Sequence, residues 1–260
     1  MNVSDYLLER GQENQVALVA GGSCYTYLDL KRTAMALAPE ILQAGAKRGD
    51  TVGLLATNSL FWVAAYLAIM KVGCTTVPVN PASMPAELSR LVDFTGCKAM
   101  CLQRRHLRRF SEVLPDSLGL VFEDVPDWSS RDEDLWNTLP DLESEEPDAA
   151  LMLTSGTTSS PRLVRVTHKN IAANTSSIIA YLGLTETERM MVVLPFFYCF
   201  GTSLLHTHLR VGGSLVLCNH FVYPQVALDL MEAERCTGFA GVPSMYQTLL
   251  RNSTFPRREF

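Results

Sequence analysis

Helical and strand-like runs alternate along almost the whole chain, and this alternation limits the fold more than any other feature. Leu30, Ala34, Leu37 and Ile41 recur at helical spacing, with Pro39 expected to kink or shorten that helix and Gly45 able to cap its end. Gly49 and Asp50 turn into an apolar strand over 51–55. Asn58 or Ser59 can cap a helix running to Lys71, and a strand follows over 74–79. Ser83 as cap and Pro85 in the first turn open a helix ending near Gly96, and strands are expected over 98–102 and 118–122. The pattern resumes with strands over 149–153 and 163–167, a helix over 169–182 and a strand over 190–194. A helix after Gly201, a strand over 214–218, a helix over 224–234, a strand over 237–242 and a helix over 244–250 complete it. Short, continuously apolar strands divided by helices belong to parallel sheets covered on both faces. The fold class is α/β.

Between the two halves, residues 123–148 hold 11 acidic side chains and one basic one, with Pro126, Pro140 and Pro147, and read as a solvated acidic connection. The chain of 260 residues carries 22 Lys+Arg against 27 Asp+Glu, a net charge of −5. That balance excludes nucleic acid as the main partner, because phosphates need a basic face. The one basic cluster (Arg104, Arg105, His106, Leu107, Arg108, Arg109) reads as a solvated helix face. The most apolar run, 60–70, is about half the length of a bilayer span and is expected to be a buried helix. The first ten residues lack the basic start and apolar core of a signal peptide. Seven cysteines, an odd number without a secretion signal, point to a reducing, cytoplasmic setting. Cys97 and Cys101, with His106 nearby, lack a second ligand pair, so they read as core and no metal site is expected.

One segment departs from this grammar. After the apolar Leu151, Met152 and Leu153 come Thr154, Ser155, Gly156, Thr157, Thr158, Ser159 and Ser160, then Pro161 and Arg162. Backbone N–H groups and small hydroxyls supply many short donors, Gly156 permits tight curvature, and Arg162 adds a fixed positive charge. Such a loop suits a polyphosphate. A flexible Ser/Thr linker has the same composition, but a linker need not sit between two apolar strands and before a capped helix. No Gly-Lys-Ser/Thr follows, so this is not a Walker loop. The segment is expected to be a mobile connection between two strands.

This loop, with Thr167, His168, Lys169 and Asn170 downstream, resembles the signature of the AMP-forming acyl-CoA synthetases. Their adenylate-forming superfamily also holds acyl-AMP ligases, luciferases and the adenylation domains of peptide synthetases. Four further blocks match in order. Tyr25, Thr26, Tyr27, Leu28, Asp29 and Leu30 with Gly49, Asp50 and Val52 are similar to the N-terminal block. Lys71, Val72 and Gly73 with Val77, Pro78, Val79, Asn80 and Pro81 are similar to "KxGxxxVPxNP". Leu194, Pro195, Phe196, Phe197, Tyr198, Cys199, Phe200 and Gly201 resemble "PLFHxxG", and Gly241, Val242, Pro243, Ser244, Met245 and Tyr246 resemble "VPxxY".

The resemblance implies that a carboxylate attacks the α-phosphate of Mg-ATP to give an acyl-adenylate, and that a thiol of coenzyme A or a carrier protein then takes the acyl group. It implies that Thr154, Ser155, Gly156, Thr157, Thr158 and Arg162 hold ATP phosphates, that Phe197, Tyr198 and Gly201 line the acid pocket, and that His220 meets coenzyme A. The cofactors implied are ATP, Mg2+ and coenzyme A. The fold implied is the layered sheet-and-helix N-terminal domain of adenylate-forming enzymes, C-terminally incomplete. Its expected subdomains are 1–57 plus 202–260, and 58–201.

The sequence departs from the family's pattern with Ser159 and Leu163 where glycines are usual, and it holds no "YGxTE" or "TGD" segment and no catalytic lysine domain. It therefore reads as a fragment without a complete catalytic set, inactive alone and prone to self-associate through an open strand edge at 237–242 or 214–218. The substrate expected is a fatty or aryl acid. A non-catalytic phosphate-binding remnant is the alternative. An amino-acid adenylation domain fits less well, since the run Phe196, Phe197, Tyr198, Cys199 offers no carboxylate for an amino group.

Overall fold

The computed structural model describes residues 1–124, 148–154 and 162–258. The acidic connection lies mostly outside them, as do residues 155–161 of the hydroxyl-rich loop. The first sheet has the order β11-β9-β10-β1-β2, with β1 Val16–Ala20, β2 Ser23–Thr26, β9 Arg189–Val192, β10 Ser214–Leu217 and β11 Gly238–Ala240. The second has the order β6-β5-β3-β4-β7-β8, with β3 Thr51–Leu55, β4 Thr75–Val79, β5 Ala99–Leu102, β6 Gly119–Val121, β7 Asp148–Leu153 and β8 Leu163–Thr167. All pairings are parallel except β1 with β2 and β7 with β8. The strand alternation inferred from sequence is therefore the architecture: a mixed α/β molecule of two layered sheets with helices between and outside them.

Period-two strand geometry explains the layering. Leu18 of β1 faces one core while its neighbour Val19 faces another; Leu54 and Leu55 of β3 divide in the same way. The central core joins both sheets through helices α2 (Tyr27–Gln43) and α3 (Leu60–Lys71), which carry Leu30, Leu37, Ile41, Trp62 and Tyr66 into it. The outer face of the second sheet is covered by α4 (Pro85–Thr95) and α5 (Arg104–Phe110). Further helices are α1 (Val3–Leu8), α6 (His168–Leu182), α7 (Cys199–Val211), α8 (Pro224–Ala233) and α9 (Pro243–Asn252). Residues of α8 cover the outer face of the first sheet. The apolar run at 60–70 becomes α3, buried on every side from Phe61 to Lys71. Among the described residues no helix is long and apolar enough to cross a membrane.

Several local expectations change. Pro39 lies inside α2, which runs on to Gln43; its one missing N–H is outweighed by the burial of Leu37, Ala38 and Ile41 around it. Met84, not Ser83, occupies the N-cap of α4, with Pro85 at its start. The hairpin β1–β2 turns at Gly21 and Gly22, whose φ values of 59° and 82° suit a two-residue turn, and a search for helix–strand alternation overlooks it. Of the two strands named as open edges, β10 is paired on both sides, by β9 and β1. The outer side of β11 has no strand partner among the described residues. By sheet membership, β3 lies in the second sheet and β9 in the first.

The N-terminal helix is held by buried polar contacts. Ser4 Oγ donates to Leu67 O (2.8 Å), Asn2 Nδ2 to Met70 O (2.9 Å), and Lys71 Nζ to both Asp5 carboxylate oxygens at 2.8 Å. Val3 N donates to His168 Nδ1 (3.0 Å), which must therefore be unprotonated. Burial, then the nearby N-terminal ammonium, push the His168 pKa down to about 4, against a smaller opposing pull from Asp148.

Two outcomes follow. A Cβ at Gly119 would lie 2.0 Å from the carbonyl oxygen of Ala44, which is backbone and cannot step aside. Gly119→Ala should cost about 1–3 kcal/mol in urea melts; an unchanged midpoint would contradict that packing. For His168, the unfolded state binds the proton below an ordinary pKa near 6.5 while the folded state resists until about 4. Its contribution is thus complete above pH 6.5 and is lost as pH falls to about 4, roughly 3 kcal/mol in all. The stability gap between wild type and His168→Gln should close across that window; parallel pH curves would contradict the assignment.

Candidate functional site

Strands β9, β10 and β11 are parallel neighbours, so the segments that follow them leave from one edge of the first sheet, where open α/β sheets bind ligands. Leu194 to Tyr198 follow β9, Asn219 and His220 follow β10, and Gly241 and Val242 follow β11. Asn58, just beyond β3 of the other sheet, ties this edge down. Its Nδ2 donates to Leu194 O (2.9 Å), its Oδ1 accepts from Phe196 N (2.9 Å), and its backbone oxygen accepts from Asn219 Nδ2 (2.9 Å). Ser59, not Asn58, caps α3, its hydroxyl accepting from Trp62 N. At Gly201 an added Cβ would lie 2.1 Å from Pro195 O. Glycine is required there for the first turn of α7 to sit against that carbonyl.

These contacts place the expected pocket residues. Phe197 is half-buried and its ring meets that of exposed Tyr198 at 4.5 Å between centroids. Phe196 is fully buried on Trp62, with ring centroids 5.1 Å apart, so it serves the core. His220 is exposed, and its backbone oxygen accepts from Tyr223 N.

The hydroxyl-rich loop begins and ends on neighbouring antiparallel strands, with Leu153 of β7 opposite Leu163 of β8. Thr154 donates to Arg162 O through its backbone N (3.0 Å) and its Oγ1 (3.2 Å), closing the base of the connection. Both donors of Thr154 are thereby engaged within the chain, and Thr154 clasps the base of the loop. Arg162 is exposed. Ser155, Gly156, Thr157 and Thr158, and the expected mobility of the segment, lie outside the described residues.

A cavity of about 240 Å3 lies between this hairpin and α7. Met152 and Val166 come from the hairpin, Asn170 and Asn174 from α6, Cys199, Ser203 and His206 from α7, and Tyr66 from α3. Tyr66 and His206 are buried while Asn170 and Asn174 are exposed, so the former make the floor and the latter the rim. The Tyr66 hydroxyl and His206 Nε2 share a hydrogen bond of 3.0 Å, and their rings stack at 5.7 Å. Burial pushes the His206 pKa down to about 3, so the ring is neutral at physiological pH. Burial also raises the Tyr66 phenol well above its ordinary value.

Sequence reasoning missed Asn58, Tyr66 and His206. Asn58 carries the signal of a helix cap. Tyr66 sits one turn beyond Trp62 in a run apolar enough to read as pure core, and His206 gives no sign of the residue 140 positions away that it meets.

Comparisons with known proteins identify the family. A model of the AMP-binding enzyme family matches residues 8–259. The chain is 27% identical over 259 residues to an acyl-CoA ligase, sidI, of Aspergillus fumigatus, covering 88% of this chain and 43% of that protein. It is 29% identical over 243 residues to a feruloyl-CoA synthase of an Amycolatopsis species, covering 92% of this chain and 48% of that one. The chain thus spans less than half the length of these curated relatives. The N-terminal domain of FACL13 from Mycobacterium tuberculosis superimposes with a TM-score of 0.84 at 21% identity, over 98% of this chain and 66% of that chain. Family match, collinear motifs and two-sheet fold coincide, and the chain belongs to the AMP-binding enzyme family.

Proposed function

We propose that this chain is the acid- and phosphate-binding portion of a ligase that activates a fatty or aryl carboxylic acid as an acyl-adenylate, using Mg-ATP, and passes it to coenzyme A or a carrier thiol. The observation that carries this reading is the placement of the loop clasped by Thr154 and Arg162 at the ends of the two strands that also wall the cavity. An acid in the cavity and a triphosphate at the loop would then lie side by side, which is catalysis by positioning and preorganised charge. Arg162 supplies the fixed cation, Ser155 to Thr158 the short donors, Phe197, Tyr198 and Gly201 the approach to the cavity, and His220 the side facing the thiol. The names of the two relatives, an acyl-CoA ligase and a feruloyl-CoA synthase, agree with an acid substrate and a thiol acceptor. All seven cysteines are free thiols, which supports a reducing, cytoplasmic setting. The outer side of β11, without a strand partner among the described residues, supports self-association.

A phosphate-binding module without chemistry is the second reading. It is favoured by Leu163, which packs into the outer core of the second sheet where a glycine would leave the end of the loop free to move.

Titration calorimetry of the 260 residues with Mg-ATP and with AMP tests the first reading. ATP should bind more tightly than AMP, and Arg162→Ala should weaken ATP by about tenfold to a hundredfold, the worth of one charge-assisted hydrogen bond. Equal affinity for AMP, or an indifferent Arg162, would contradict the phosphate assignment. Assayed without further sequence, these residues should bind without releasing pyrophosphate, because they contain no "YGxTE" or "TGD" segment. Acid-dependent pyrophosphate release at about 1 per second or faster would contradict that expectation.

A further inference from the structure

We infer that the cavity between α3, α6, α7 and the β7–β8 hairpin takes the ring of a compact aryl acid bearing a hydroxyl at its far end, in preference to an alkyl chain. This deepens the acid-activating reading and rests on it. Size is the first observation. About 240 Å3 exceeds the roughly 150 Å3 that holds one benzene ring, leaving room for a ring and a short substituent. The second observation is the floor. A pocket shaped for an alkyl chain is apolar to its end, whereas this one is lined at its buried side by Tyr66 and a neutral His206, hydrogen-bonded to each other.

That pair leaves a hydrogen-bonding position over. With Nε2 engaged by Tyr66, His206 Nδ1 has no hydrogen-bond partner among the described residues. In a neutral imidazole, Nδ1 donates if Nε2 accepts from Tyr66, and accepts if Nε2 donates. A hydroxyl on the occupant can meet either form, because it both donates and accepts. A methyl group can meet neither, and would leave Nδ1 against hydrocarbon. The ring series Phe196–Trp62–Tyr66–His206, tilted at its first contact and stacked at the next two, with successive centroids 5.1, 5.1 and 5.7 Å apart, holds the floor rings in place from the core outward. A flat ring entering between Met152 and α7 meets this rigid aromatic end.

Cys199 provides the test, because it lines the cavity and is exposed, while Cys24 on β2 is exposed and does not line it. Label the protein with a maleimide in the presence of 4-hydroxycinnamate, cinnamate or decanoate, and read each cysteine by peptide mass spectrometry. Buried Cys74 and Cys101 should stay unlabelled and report that the chain is folded. The inference expects 4-hydroxycinnamate to protect Cys199 at a concentration about tenfold lower than cinnamate or decanoate, with Cys24 indifferent to all three. His206→Phe, which keeps the ring and removes both nitrogens, should erase the preference. Equal potency of the two aryl acids on the wild type, stronger protection by decanoate, or no protection of Cys199 by any acid would overturn it. Neither ATP nor turnover enters this measurement. Selective protection without ATP binding would sink the ligase reading alone, and ATP binding without selective protection would sink this inference alone.

Discussion

The buried amide of Asn58 joins the two sheets at the edge where the site lies. Asn58 leaves the end of β3 in the second sheet and makes three hydrogen bonds to the segments that follow β9 and β10 in the first. Leu194 O and Phe196 N are buried polar groups that would otherwise be unpaired, and each such loss costs about 1–3 kcal/mol. The central core is apolar and its attraction non-directional, so these hydrogen bonds add a directional constraint between the sheets. The amide fixes their register, and with it the distance between the cavity and the segment entering α7.

The rest of the site depends on that fixture. Leu194 and Phe196 are held by Asn58, so Pro195 presents its carbonyl to Gly201 and α7 starts where it does. From that start the helix carries Cys199, Ser203 and His206 onto one face at spacings of three and four residues. The same face meets Tyr66, which α3 delivers one turn beyond Trp62. Hairpin β7–β8 closes the other side, and its loop base is clasped by Thr154 on Arg162. Local rules therefore build the parts, and a few long-range polar contacts decide where the parts stand.

This division also explains what could be read from the sequence. The α/β class, the buried run at 60–70 and most strands follow from periodicity, which is a local property of neighbouring residues. The loop after Leu153 stands out because no structural grammar calls for seven small residues between apolar strands. The glycine at 201 is visible as a motif, yet its reason is a carbonyl six positions back that only the fold brings near. Asn58 and His206 are illegible for a physical reason. Their partners lie 136 to 161 and 140 residues away, and the side chains themselves resemble an ordinary cap and an ordinary helix histidine. Thr154 is legible as part of a hydroxyl-rich loop, while its bonds to Arg162 O, eight residues on, appear only in the fold.

The claim that one amide sets the geometry of the site is open to a direct measurement, the unfolding free energy of Asn58→Ala against wild type by urea denaturation. Removing the side chain leaves Leu194 O and Phe196 N buried without partners, so the account predicts a loss of about 2–4 kcal/mol with an unchanged slope. A change within about 0.5 kcal/mol, the size of an ordinary surface substitution, would contradict it.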